Sequence, residues 1–140
     1  MAANYLKGQG CTVGIDDVGA SPVSYTTIGE LVSFSTPEET RTEIDVTTLA
    51  STHEEITVGL RKGGTLTLEV NYYPGDVGQT ELEAALVAGT EKSFKVTFTD
   101  SPASTWTGNG YVVGMSVPVE MDSKISCTYT IRQNGAWVRA

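Results

Sequence analysis

The sequence predicts a mainly β domain, a sandwich or barrel of antiparallel strands with one flanking helix at about 77–88 and a long extended loop at about 36–55. Three observations carry this reading. Several short runs alternate apolar and polar residues with period two, only one stretch has helical spacing with end signals, and Gly, Pro, Asn and Asp punctuate the runs between them.

Residues 1–10 are small and polar apart from Tyr5 and Leu6, which predicts a flexible N-terminal arm. Cys11, Val13 and Ile15 alternate with Thr12 and Gly14 as a short first strand, and residues 16–22 form a turn-rich loop. Ile28, Leu31, Val32 and Phe34 predict two strand halves bent at Gly29. Residues 36–55 break the pattern: they carry many charges and only a weak apolar pattern at Ile44, Val46 and Leu49. A segment of that length without structure of its own is usually functional. Its apolar residues would be wasted on a purely solvated loop.

Lys62-Gly63-Gly64 supplies a tight turn into the central strand, where Leu66, Leu68, Val70 and Tyr72 share one face and Thr65, Thr67, Glu69, Asn71 and Tyr73 the other. Pro74-Gly75 stops that strand. Asp76 is the expected helix cap, with Gln79 in the reach-back position of a capping box, Leu82, Ala85 and Leu86 as the apolar stripe, and Gly89 as the C′ residue. Phe94, Val96 and Phe98 mark the next strand, closed by Asp100-Ser101-Pro102. Residues 106–115 mark another, with Gly108, Gly110 and Gly114 predicting close approach or a bend. Ile125, Cys127, Tyr129 and Ile131 mark the last strand, ended by Asn134-Gly135 and followed by Trp137.

The 140 residues suit one domain, and a formal charge of −8 with no basic cluster argues against specific nucleic-acid readout. No apolar run is long enough to cross a bilayer as a helix, so no membrane insertion is expected. Cys11 and Cys127 lie in separate strand-like runs and read as buried thiols, with a single bridge as the alternative. His53 has no second ligand at metal-binding spacing. The acidic pairs Asp16-Asp17, Glu38-Glu39 and Glu54-Glu55 point to opposite sides of extended chain. The glycines at 59–64 lack the order of a phosphate loop and precede a strand. Nothing supports an enzyme, and no cofactor, metal or catalytic residue is expected.

The ordered set of Leu31-Val32-Ser33-Phe34, the Ile44-Asp45-Val46-Thr47-Thr48-Leu49 loop, Glu55-Ile56-Thr57-Val58-Gly59-Leu60, Gly64-Thr65-Leu66-Thr67, and Tyr73-Pro74-Gly75 with Gln79 and Leu82 resembles the tail tube proteins of long-tailed bacteriophages, the lambda-like major tail proteins. The resemblance covers most of the chain. It implies a structural virion protein, assembled in the host cytoplasm, in which six copies close into a ring and rings stack into the tube that passes viral DNA. It also implies tape measure, tail terminator and tail tip proteins as partners. The long loop would reach between subunits and rings, placing Ile44, Asp45, Val46 and Leu49 at the contact, and a C-terminal immunoglobulin-like domain found in some relatives is not expected. DNA is a polyanion that cationic walls would hold. On that ground the lumen is expected to be acidic and weakly polar, with Glu69 the first candidate to face it and Glu30 the second. The rival reading is a monomeric carbohydrate-binding module in which Trp106, Tyr111 and Trp137 form an aromatic platform.

Overall fold

The structure is a computed structural model and describes residues 8–19, 22–99 and 103–140. The chain runs β1 (Thr12–Asp17), β2 (Thr26–Thr27), β3 (Leu31–Ser35), β4 (Thr40–Asp45), β5 (Ile56–Lys62), β6 (Thr65–Asn71), α1 (Val77–Ala88), β7 (Glu91–Thr97), β8 (Thr105–Ser116) and β9 (Ser126–Arg139). Seven strands form one antiparallel sheet in the order β2-β1-β7-β8-β9-β6-β3, and β4 and β5 form a separate two-stranded ladder.

That order forces the sheet to curl. Its two edge strands, β2 and β3, are consecutive in the chain and joined only by residues 28–30. The Cα steps from Thr27 to Leu31 reach at most about 15 Å, whereas a flat seven-stranded sheet would separate its edges by about 29 Å. The edges therefore approach each other, and the sheet is a barrel-like half-cylinder rather than two stacked layers. Hydrogen bonds fasten both sides of the crossover: Ile28 N donates to Val13 O at 2.9 Å, and Asn71 N to Glu30 O at 2.8 Å.

The concave face is the core. Leu66, Leu68 and Val70 of β6 stand opposite Ile131, Tyr129 and Cys127 of β9, with Val13, Ile15, Phe94, Val96 and Val112 completing the layer and Leu82 and Ala85 of α1 closing it. The helix ends follow the sequence. Asp76 caps the N-terminus by accepting from Gln79 N, and Gly89 takes the left-handed conformation at φ 68° with its N–H on Ala85 O. Gln79 departs from expectation: its Oε1 accepts from Tyr73 N at 3.1 Å, and its Nε2 donates to Gly29 O and Asn71 O. A fully buried amide serves better as a junction between three segments than as a cap of its own helix.

Three sequence boundaries are corrected. The expected loop at 36–55 contains β4 and the tip of a hairpin, because β4 pairs with β5 while every one of its residues stays exposed. Alternation marks strands that bury one face, and this one buries neither. The last strand does not end at Asn134-Gly135. Gly135, at φ 77°, sits in a bulge where Asn109 faces Asn134 but Thr107 faces Val138, and β9 continues to Arg139. The two strand halves expected either side of Gly29 are both present, but they lie on opposite sheet edges rather than as one bent strand. Residues 1–7 of the expected arm and Asp100-Ser101-Pro102 lie outside the described residues.

Candidate functional site

Two surfaces stand out once the core is accounted for. The first is the β4–β5 hairpin, which makes no more than marginal contact with any other element. Its root is fixed. Glu39 pairs with Arg61 at 3.1 Å and accepts from Gln133 Nε2 at 3.3 Å, and Gln133 Oε1 accepts from Gly64 N. Gly64 lies so close to the Glu38 backbone that a Cβ would come within 2.3 Å of its carbonyl oxygen, which explains a glycine there.

The ladder carries apolar side chains on both faces. Ile56 and Val58 stand opposite Asp45 and Glu43 on one face, and Ile44 stands opposite Thr57 on the other. An extra residue in β5 between Val58 and Arg61 forms a bulge at Gly59-Leu60. Ile44, Val46, Ile56, Val58 and Leu60 are all exposed, and Leu49 at the tip is 109% exposed. A lone two-stranded hairpin is marginal in water, and this one offers apolar surface that no other described element covers.

The tip is nonetheless ordered by its own hydrogen bonds. Val46 N donates to Glu55 O, Thr47 N to Asp45 Oδ1, Thr48 N to Ser51 Oγ, Ser51 Oγ to Glu55 Oε2, and Glu55 N to Thr47 Oγ1. The backbone N–H of Thr47, and then its hydroxyl, holds the Asp45 carboxyl below its ordinary range. The structure thus brings Ile44, Asp45, Val46 and Leu49 together on one arm. It adds Ile56, Val58 and Leu60, whose alternation the sequence displays but whose partner strand it conceals.

The second surface is the convex face of the sheet. Cross-strand partners share a face, so Ser33, Glu69, Thr128 and Ser116 form one row, Ser35, Thr67, Thr130 and Gly114 the next, and Thr65, Arg132 and Tyr111 a third. Glu69 is exposed and accepts from Ser33 Oγ at 3.3 Å. Glu30 stands apart from these rows, exposed in the β2–β3 crossover with φ 58°. β6 itself carries no base on this face, but β9 sets Arg132 beside it, and β7 brings Lys95, which lies 5.7 Å from the Tyr25 ring. The face is hydroxyl-rich with scattered charges of both signs.

The aromatic platform of the rival reading does not form. Trp137 is buried against Gly108, and Trp106 lies on the Val96 side of the sheet with Arg139 4.4 Å from its ring and Phe98 edge-on at 5.7 Å. Tyr111 points to the opposite face beside Arg132. No disulfide joins Cys11 and Cys127. His53 contacts Thr52 Oγ1 at 3.2 Å, and among the described residues no group of His, Cys, Asp and Glu gathers as a metal site.

Comparison with known proteins places this architecture. Its fold is similar to that of the SPP1 tail tube, with TM-score 0.79 at 12% identity over 96% of this chain and 78% of the other. It is equally similar to a chain in the tail of an empty gene transfer agent particle refined with C6 symmetry, with TM-score 0.78 at 16% identity over 97% and 99%. A chain of the sheath/tube terminator of an extracellular contractile injection system matches with TM-score 0.74 at 11% identity over 100% and 99%. No curated protein matches the chain by sequence. The model of the lambda phage tail tube protein family matches residues 14–140, nearly the whole chain, and the chain belongs to that family of structural tail proteins.

Proposed function

We propose that this tail tube protein closes into six-membered rings that stack into the tube of the virion, through which viral DNA passes to the host. The observation that carries this is the β4–β5 arm, an isolated hairpin with exposed apolar side chains on both faces and a hydrogen-bonded tip. Fully burying one such side chain stabilises by about 1.5–3 kcal/mol, so several anchors per arm, repeated around a ring, suffice to hold subunits together. The C6 symmetry of the similar gene transfer agent tail supports the ring number. Tape measure, tail terminator and tail tip proteins are the expected partners, with assembly in the host cytoplasm.

The convex hydroxyl face is the surface proposed to line the lumen, with Glu69 exposed on it and Glu30 at its edge. Threonine and serine hydroxyls offer DNA no fixed charge, and the bases Arg132 and Lys95 stand beside the rings of Tyr111 and Tyr25. Such a wall lets a polyanion slide without exchanging its counterions. Negative-stain microscopy of concentrated protein tests the reading: rings or hollow tubes are expected from the wild type, and a folded monomer from the variant with Ile44, Val46 and Leu49 all replaced by Ser. A wild type that stays monomeric at every concentration and salt overturns it.

A further inference from the structure

We infer that the groove beside β3 receives the hairpin tip of a second copy of this chain, with Leu49 as the inserted side chain. This rests on the tube reading above and names the acceptor that reading leaves open. The groove has a volume of about 930 Å³ and lies between the edge strand β3 and the chain segment just before β1. Leu31, Val32, Phe34, Cys11, Phe98 and Trp106 supply its apolar lining, and among the described residues none that lines it is charged.

In a chain of net charge −8 an uncharged groove selects an uncharged occupant, because a buried charge without a partner is costly to desolvate. The arm offers two candidate segments. Ile56 and Val58 share their face with Asp45 and Glu43, so seating that face would bury carboxylates. In the ten-residue tip the charges, Glu54 and Glu55, sit at the return into β5, while residues 46–52 carry none and present Leu49 fully exposed. Its internal hydrogen bonds already order it, so docking forfeits little conformational freedom.

The bulge at Val32, where Leu31 faces Val70 but Ser33 faces Glu69, interrupts the free edge of β3. That edge is therefore unsuited to extending a hydrogen-bonded ladder and suited to receiving a side chain. The occupant is another copy. The six-residue β4 ladder carries the tip about 20 Å from its root, and the arm lies essentially free of its own body.

Cross-linking tests this. In a Cys11→Ser background, one preparation carries Val32→Cys and another Leu49→Cys, and the two are mixed under assembly conditions and mildly oxidised. A disulfide-linked dimer is expected in the mixture and absent from either preparation alone. Leu49→Asp is expected to abolish tubes while leaving the thermal melt of the subunit unchanged. Tubes that form without the mixed cross-link, or with Leu49→Asp, overturn the groove assignment and leave the tube reading standing. Wild-type protein that never assembles, together with a mixture of the two variants that never cross-links, overturns both.

Discussion

The Asp76 carboxylate accepts a hydrogen bond from Gly29 N at 3.1 Å across 47 positions of sequence, while also accepting from Gln79 N in its own helix at 3.0 Å. One helix cap thereby holds the crossover that joins the two sheet edges. A Cβ on Gly29 would fall 2.4 Å from Asp76 Oδ1, so the crossover can approach the cap only as glycine. Gln79 reinforces the junction by donating to Gly29 O and Asn71 O. The curl of the sheet is thus locked by the start of α1.

Removing this lock is expected to cost more than a usual cap. Asp76→Ala loses two hydrogen bonds and is expected to destabilise by about 1–2 kcal/mol. Gln79→Leu strands the Tyr73 N–H and two carbonyls in a buried setting, with an expected loss of about 2–4 kcal/mol. Val87→Ala, on an exposed position of the same helix, is the control and is expected to stay within about 0.5 kcal/mol. Urea midpoints at constant m-value read all three.

The helix, its cap and its C′ glycine were legible because each signal is local, as was the central strand with Leu66, Leu68 and Val70 inward. The hairpin was not, because Thr40-Arg41-Thr42-Glu43-Ile44-Asp45 buries neither face and so shows no alternation. Its apolar residues at Ile44, Val46 and Leu49 marked the segment as the proposed contact, but its partner strand lies on the far side of a ten-residue tip. The convex face was only half legible. Alternation put Thr65, Thr67 and Glu69 outward, yet Arg132 reaches that face through the β6–β9 register, which no single strand reveals.

Glycines on β8 separate packing from conformational need. A Cβ on Gly108 would come within 2.1 Å of Trp137 Cδ1, whereas one on Gly114 would meet Thr130 Cβ at 3.5 Å, an ordinary contact. Gly108→Ala must displace the buried indole and its hydrogen bond to Asn109 O, and is expected to destabilise by about 1–3 kcal/mol. Gly114→Ala is expected to be neutral or slightly stabilising. Thermal melts with the Trp fluorescence maximum distinguish the two, since only the first exposes Trp137.

Alkaline pH should act through Tyr129. Burial pushes its phenol well above the ordinary range, the neighbouring Cys127 thiol adds to the shift, and the hydroxyl finds no other hydrogen-bond partner. A raised acid contributes stability that is present below its unfolded pKa of about 10 and is lost as pH rises through that value toward the folded one. Wild-type stability should therefore fall above about pH 10, with Tyr129 ionising only on unfolding. Tyr129→Phe removes that pH dependence and, losing only a weak contact with the Cys127 thiol, is expected to change stability at neutral pH by less than about 1 kcal/mol. Phenolate absorbance against pH, compared with circular dichroism, checks both.

Salt should promote tube growth. Each subunit carries −8, and a ring concentrates that charge within distances comparable to the screening length, about 8 Å at physiological ionic strength. The contacts proposed to hold the ring are apolar, through Leu49 and the groove, and lose nothing to screening. The ion pairs among the described residues, Glu39–Arg61 and Asp17–Lys92, lie within one subunit, so salt weakens no interface through them. Raising sodium chloride from 10 to 150 mM is expected to lower the concentration at which tubes appear, and Glu69→Gln to lower it further at low salt. Tubes that dissolve as salt rises would show that intersubunit ion pairs, not apolar arms, dominate the interface.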